Sequence, residues 1–233
     1  VSAGSLAYPL ENYHKGSCLT LWTDAGGRRD ASRDLRPVYR GRMPLTPADL
    51  PLSVAAVPRL LVVESTGSTN ADLVASVTDT PDAWPHLAAL VTDDQRAGRG
   101  RLGRSWSAPP GSAPAVSVVV KTAGLPPHAF GWIPLIAGVA MADAISDQLV
   151  GRVVAVKWPN DVMVDGLKIS GILAELVGET VVVGAGVNTS MARSDLPVPT
   201  AVSFAAIGQS ADEDALLARY LERLRELIDS FRS

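Results

Sequence analysis

The amino-acid sequence predicts a mixed α/β (α+β) fold: a largely antiparallel sheet with helices packed on one side. Three observations carry this. Short runs rich in valine alternate with turn residues. Asp165-Gly166 and Gly178 punctuate the middle of the chain where strands must reverse. Two long segments with apolar residues at helical spacing cross between those strands.

The elements follow in order. "LLVVE" from Leu60 is a short apolar strand. "STGSTNADLVASV" follows, and Thr69 with Asp72 has capping-box spacing, so a helix is expected to begin near Ser68. "LAALVTDD" is a buried strand, and a Gly/Arg loop comes next. "PAVSVVVKT" is a strand because β-branched residues suit a pleated, packed surface. "GWIPLIAGVAMADAISDQLV" is a long core helix and "RVVAVKW" another strand. "DVMVDGLKISGILAEL" is a hairpin about Asp165-Gly166, paired in turn with "TVVVGAGVNTS". The last helix, "SADEDALLARYLERLRELIDSF", opens on a Ser210–Glu213 capping box. Leu217, Tyr220, Leu221, Leu224 and Ile228 form its apolar stripe.

Residues 1–52 read differently. They are rich in Gly, Arg, Asp and Pro and lack an apolar period. Such a stretch buries too little surface to offset its ordering entropy, so a disordered leader is expected. The chain begins with Val, and Met43 offers a later start. A single domain is expected over residues 53–233.

Composition narrows the function classes. The chain has 233 residues, 47% of them hydrophobic, and a net charge of −3. A net acidic balance argues against general nucleic-acid binding. No apolar run approaches the roughly 20 residues that a membrane span needs. Cys18 has no partner for a disulfide, so a reducing cytoplasm is expected. His14, His86 and His128 lack metal-ligand spacing, and no G-x-S-x-G marks a hydrolase.

Four stretches carry chemistry. "GRGRLGRSW" at 98–106 combines Gly98, Gly100 and Gly103 with Arg99, Arg101 and Arg104. The glycines let a ligand approach the backbone, and the guanidinium forks match phosphate or carboxylate oxygens. The order is not that of a phosphate-binding P-loop, and the G-x-G-x-x-G opens no helix. A loop with this much self-repelling charge is expected to order on an anion. Trp106 either stacks on a flat ring or anchors the loop into the core. "VKWPND" ends a strand at Pro159 and sets Asn160 and Asp161 at a turn. Asp161 is the kind of carboxylate that holds Mg²⁺. In "GLKISGILAE", period-two alternation puts Lys168, Ser170 and Ile172 on one face, and Ile169, Gly171 and Leu173 on the other. A lysine over a concave sheet needs an anion, and a strand glycine marks close approach. "GAGVN" ends a strand at Asn188, whose amide both donates and accepts.

Together with "STN" at 68–70, these four stretches resemble in order and spacing the biotin–protein ligases, as "QRAGRGRLGRSW" at 95–106, "KWPND" at 157–161, "KISGILAE" at 168–175 and "GAGVN" at 184–188. The resemblance runs over roughly residues 58–231 and implies the class II synthetase-like biotin/lipoate ligase catalytic fold. It implies a two-step reaction: biotin and Mg·ATP give biotinyl-5′-AMP and pyrophosphate, and a lysine of a biotin-carboxyl-carrier domain then takes the biotinyl group. Biotin is then substrate, ATP and Mg²⁺ are co-substrates, and no prosthetic group is expected.

By the same resemblance Ser68, Thr69, Asn70 and Gln95 belong to the biotin site. Arg99, Gly100 and Arg101 cover its carboxylate, with Gly171 and Gly184 as floor. Arg101 and Lys168 are the catalytic cations. Arg101, Arg104, Trp106, Asn160, Asp161 and Asn188 face the nucleotide, Asp161 through the metal. The chain looks like the type without an N-terminal DNA-binding domain, and it would end before the small C-terminal β-barrel of relatives. The expected partner is the carrier domain, with a homodimer as an open assembly and neither DNA nor membrane. Two alternatives stand beside this reading: a lipoate or octanoate ligase or transferase of the same fold, and a nucleic-acid module using the RG loop.

Overall fold

The computed structural model describes residues 44–233. His14, Cys18 and Met43, with the expectations placed on them, lie outside the described residues. The leader expectation is corrected for residues 44–52. Pro47–Asp49 form a 3-10 turn and Pro51–Ala56 a short helix, α1. Leu45 and Leu50 are buried in the main core. The carboxylate of Asp214 accepts from the N–H groups of Leu52 and Ser53 and from the Ser53 hydroxyl, at 2.8–2.9 Å. A long-range partner thus orders a segment whose own composition does not.

Seven strands form one sheet: β1 (Leu60–Val62), β2 (Ala89–Thr92), β5 (Ala115–Lys121), β6 (Val154–Lys157), β7 (Asp161–Val164), β8 (Leu167–Val177) and β9 (Thr180–Val187). Their order is β1-β2-β5-β9-β8-β7-β6, and every neighbouring pair but the parallel β1–β2 is antiparallel. The Asp165-Gly166 turn behaves as expected, with both residues at positive φ. A separate two-stranded ribbon, β3 (Gly98–Arg99) with β4 (Ser105–Trp106), carries the Gly/Arg loop.

The helices are α2 (Thr69–Asp79), α3 (Ile133–Gln148) and α4 (Glu213–Arg232). They occupy both faces of the sheet, not one. Val116, Val118 and Val120 of β5 face α1, α3 and α4, whereas Val119 packs with Leu73 and Val77 of α2. A strand buried on alternate residues both ways needs cover on both sides. The turn and helix over Pro127–Gln148 together reach the length and apolarity of a membrane span, contrary to expectation, with mean hydropathy 1.5. Half of that window is buried inside the protein, as in a core helix.

Both expected capping boxes are replaced. Ser68 caps α2 by accepting from the Ala71 N–H, while Asp72 turns back to the Thr66 hydroxyl. Asp212 caps α4 by accepting from the Ala215 N–H at 3.0 Å, which leaves Glu213 to accept from the Thr189 hydroxyl. In each case the acidic side chain found a better-placed donor outside its own helix.

Candidate functional site

β9 shows how the sheet makes room. Val181, Val183, Ala185 and Val187 point into the main core. On the other face Val182 sits under α2, and then Gly184 and Gly186 leave the surface bare. The space is used at once. A Cβ on Gly184 would lie 2.3 Å from Asn70 Oδ1, and one on Gly186 would lie 2.6 Å from the Trp106 indole. These glycines are required by close approach. Trp106 therefore anchors the loop on the sheet and, from there, also lines the cavity above it.

Over these glycines lies a cavity of about 450 Å³. Its walls include Ser68, Thr69, Asn70 and Gln95 from the start of α2 and the loop after β2. The Gly/Arg loop adds Arg99, Gly100, Arg101, Arg104 and Trp106. Lys157, Asn160, Asp161, Lys168 and Gly171 come from β6, the turn after it, β7 and β8. Nearly every residue expected at the site is brought together. Asn188 is not: it does not line the cavity, and its amide donates to the Val202 carbonyl at 2.9 Å. A residue that ends a strand adjoining the core has its hydrogen bonds claimed by the neighbouring backbone.

Two polar clusters face the cavity. In the first, Gln95 Oε1 accepts from the Thr69 N–H at 2.9 Å and from the Thr69 hydroxyl at 3.1 Å. With its oxygen engaged, the Gln95 amide presents N–H donors. Beneath it the fully buried Ser117 hydroxyl reaches Thr69 Oγ1 at 2.8 Å and Asn70 Oδ1 at 2.6 Å. Asn70 Nδ2 then donates to the Leu173 carbonyl and to Glu175. Ser117 and Glu175 were not assigned from sequence. Ser117, a polar residue inside the valine run of β5, was the available signal.

The second cluster is charged. Lys168 Nζ lies 2.6 Å from Asp161 Oδ1, and Arg101 donates to Asn160 Oδ1 at 3.3 Å. The Asn160 amide donates to the Ile172 carbonyl at 2.8 Å, which fixes its orientation. Arg99 pairs with Glu175 at 3.0 Å. No carboxylate pairs with Arg101 or Arg104 among the described residues. Uncompensated guanidinium groups around a concavity attract an anion.

The alternation expected in β8 is corrected. Val162 pairs with Ser170 but Met163 pairs with Lys168, so Ile169 is an extra residue in a β-bulge. The bulge moves Lys168 to the face opposite Ser170 and Ile172. Lys168 Nζ instead lies 3.1 Å from where a Cβ on Gly171 would stand. A bulge re-aims a side chain, and here it aims the lysine into the site.

The loop itself forms the β3–β4 ribbon about the Arg101–Gly103 turn, with Leu102 at φ 58° and 88% exposed. Its roots are tied down where the N–H groups of Arg96 and Ala97 donate to the Thr66 and Gly67 carbonyls. Among the described residues no group of three His, Cys, Asp or Glu side chains suits a metal ion. Asp161 is the carboxylate on the cavity wall. One carboxylate fits a Mg²⁺ carried chiefly by phosphates, rather than one held by the protein alone.

The biotin/lipoate A/B protein ligase family model matches residues 62–188, more than half of the chain. A biotin–[acetyl-CoA-carboxylase] ligase of Mycobacterium tuberculosis is 37% identical over 178 residues, covering 75% of this chain and 66% of that protein. The bifunctional ligase/repressor BirA of Escherichia coli is 34% identical over 150 residues, covering 61% of this chain and 46% of that protein. The chain thus spans just under two thirds of the first relative's length and under half of the second's. Among solved structures, the biotin protein ligase of Aquifex aeolicus in complex with biotin and ATP aligns with a TM-score of 0.63 at 28% identity, over 75% of this chain and 72% of that one. The Leishmania major biotin protein ligase in complex with biotinyl-5-AMP aligns with a TM-score of 0.60 at 26% identity, over 75% and 80%.

Proposed function

Because the chain belongs to the biotin/lipoate A/B protein ligase family, we propose that it is an ATP-dependent ligase that activates biotin as biotinyl-5′-AMP and transfers the biotinyl group to a lysine of a biotin-carboxyl-carrier domain. The observation that carries this is the joining, in one cavity, of a neutral hydrogen-bonding cluster and a cationic one. Biotin has the matching halves: a polar ureido head and a carboxylate at the end of an apolar tail.

The ureido group fits the cluster of Ser68, Thr69, Asn70 and Gln95, where Gln95 N–H groups donate to its carbonyl. The strand residues about Gly171 and Gly184, with Leu173 and Ala185, line the part of the cavity that would take the ring and tail. Arg99, Gly100 and Arg101 meet the carboxylate. That carboxylate oxygen attacks the α-phosphorus of ATP, the α–β phosphoanhydride bond breaks, and pyrophosphate leaves with the electron pair. Arg101, Arg104 and Lys168 neutralise the charge that grows on the α-phosphate and leaving group, the main demand of such a displacement. Lys168 exchanges Asp161 for these oxygens, which frees Asp161 toward the Mg²⁺ that ATP brings. Asn160 and Trp106 border the nucleotide end. In the second step a neutral lysine of the carrier attacks the acyl carbon, AMP leaves, and the amine proton goes to solvent. The closed loop keeps water from the mixed anhydride meanwhile. The reducing cytoplasm and a homodimer belong to the same proposal, and neither enters a step.

The test is pyrophosphate release by the purified chain with ATP, Mg²⁺ and one acid at a time. Release with biotin, and biotinyl transfer to a carrier domain, is the expected result. Turnover with lipoate or octanoate but not biotin would sink the assignment.

A further inference from the structure

Glu175 lies near the end of the "KISGILAE" stretch and does not line the main cavity. It borders the space between β8 and the underside of the Gly/Arg loop, with Leu173. Its carboxylate makes two contacts at once. Arg99 NH2 lies 3.0 Å from Oε1 and donates to Oε2 at 3.1 Å, and Oε2 also accepts from Asn70 Nδ2 at 2.9 Å. Asn70 cannot turn away from it. Its Oδ1 is held by Ser117 at 2.6 Å and sits against Gly184, and its Nδ2 also reaches the Leu173 carbonyl. Beyond the loop's roots and the Trp106 anchor, the side-chain bonds from loop to sheet among the described residues are Arg99 to Glu175 and Arg101 to Asn160. Only the first is between full charges.

We infer that Glu175 is a positioning residue: it holds the Gly/Arg loop on the sheet before any ligand arrives, and couples it through Asn70 to the neutral cluster. Arg99 gives one nitrogen to Glu175 and keeps its other donors for an incoming anion. The loop is then already folded down on one side, and ligand binding orders only the tip with Arg101 and Arg104. That lowers the ordering entropy that ligand binding must overcome. A mostly buried carboxylate at a loop edge has this effect because the pair is charge-assisted and the oxygen it shares with Arg99 is fixed by an oriented amide.

The experiment is tryptic cleavage of the native full chain, followed by mass spectrometry at the bonds after Arg101 and Arg104, without ligand. Glu175→Gln keeps the shape and the Asn70 bond but loses the charge. Its loop cleavage is expected to be about 3- to 10-fold faster than wild type, at unchanged Tm. Equal cleavage rates would overturn the inference. Should Glu175→Gln not fold, Arg99→Gln breaks the same pair from the solvent side and is expected to speed cleavage after Arg101 and Arg104 alike; no acceleration there overturns it as well. The double variant should cleave no faster than either single one, and additive acceleration would show that the two act separately. In turnover Glu175→Gln is expected to raise KM for biotin about threefold with little change in kcat. A fall in kcat at unchanged KM would place Glu175 in the chemistry instead. This last readout rests on the ligase reading, whereas the ligand-free cleavage does not. If biotin and ATP fail to slow cleavage of the wild type, the ligase reading fails and the comparison without ligand still decides the role of Glu175.

Discussion

Along β9 the residues pointing to one side of the sheet are Val181, Val183, Ala185 and Val187, whereas those pointing to the other are Val182, Gly184 and Gly186. The first side is filled by α3 and α4, with Ile145, Leu216, Tyr220 and Leu224 fully buried against it. The second side begins under α2 and then opens, because two residues without side chains leave room for Asn70, Trp106 and a cavity. Packing density explains the closed side: apolar atoms removed from water and in contact stabilise it. The open side is built from hydrogen bonds and opposed charges, which contribute little net stability but fix directions. One strand therefore separates the part that holds the protein together from the part proposed to act.

That contrast can be broken from either side. The largest expected effect is on the open one. Lys168→Ala should slow biotin-dependent pyrophosphate release by on the order of 10²–10³-fold, as for loss of a group that meets developing charge. Its Tm should hardly move, and normal release would remove Lys168 from the chemistry. Gly184→Ala comes next. Its new Cβ would stand 2.3 Å from Asn70 Oδ1, so Asn70 must shift. A displacement near 1 Å is worth about 100-fold in rate. Retained turnover with an undisturbed Asn70 in a crystal structure would show that the floor tolerates more than this packing implies.

On the closed side the currency of change is stability. Leu224→Ala removes a fully buried side chain of α4 and should cost about 2–5 kcal/mol in denaturant unfolding. KM for biotin should stay as it is below the melting range. A raised KM would mean that the two faces are coupled. Asp214→Ala should cost less, about 1–2 kcal/mol, as it strips the acceptor from the start of α1. Protease sensitivity confined to residues 44–56 would accompany it, and an unaltered unfolding midpoint would count against the contact.

The last effect is set by pH. His86 bridges β5 and the end of α4, facing Lys121, Asp229 and Arg232. Burial, aided by Arg232, pushes its pKa down from 6.5 to about 4. The folded chain then binds the proton less well than the unfolded chain. The stability held by neutral His86 is complete above pH 6.5 and is lost as pH falls from there toward 4. His86→Gln should flatten the fall in Tm over that window; an identical slope in both proteins would discard this account.

Much of the architecture was legible in residue pattern alone. The Asp165-Gly166 hairpin, the valine strand of β5 and the stripe of α4 each follow from a local rule that tertiary contacts did not override. Where reading failed, a distant partner had intervened. Asp72 and Glu213 left their expected caps for Thr66 and Thr189. Residues 44–52 order because Asp214, far along the chain, supplies their acceptor. α2 covers the second face because Val119 is apolar on the side that one-sided packing would have left wet.

For the candidate site, the residue types and their spacing were set by sequence: arginines between glycines, a lysine and an aspartate on neighbouring strands, and the polar start of α2. Those choices depend on chemistry that a side chain carries wherever it stands. Direction was decided only in three dimensions. Lys168 faces the cavity because a single extra residue, Ile169, reverses the alternation. Trp106 lies on Gly186 because a glycine there admits it. Asn188 turns to Val202, and Glu175 meets Arg99 across 76 residues of chain. A period of two or of 3.6 is a property of neighbours in sequence, whereas a bulge, a close approach or an ion pair is a property of neighbours in space.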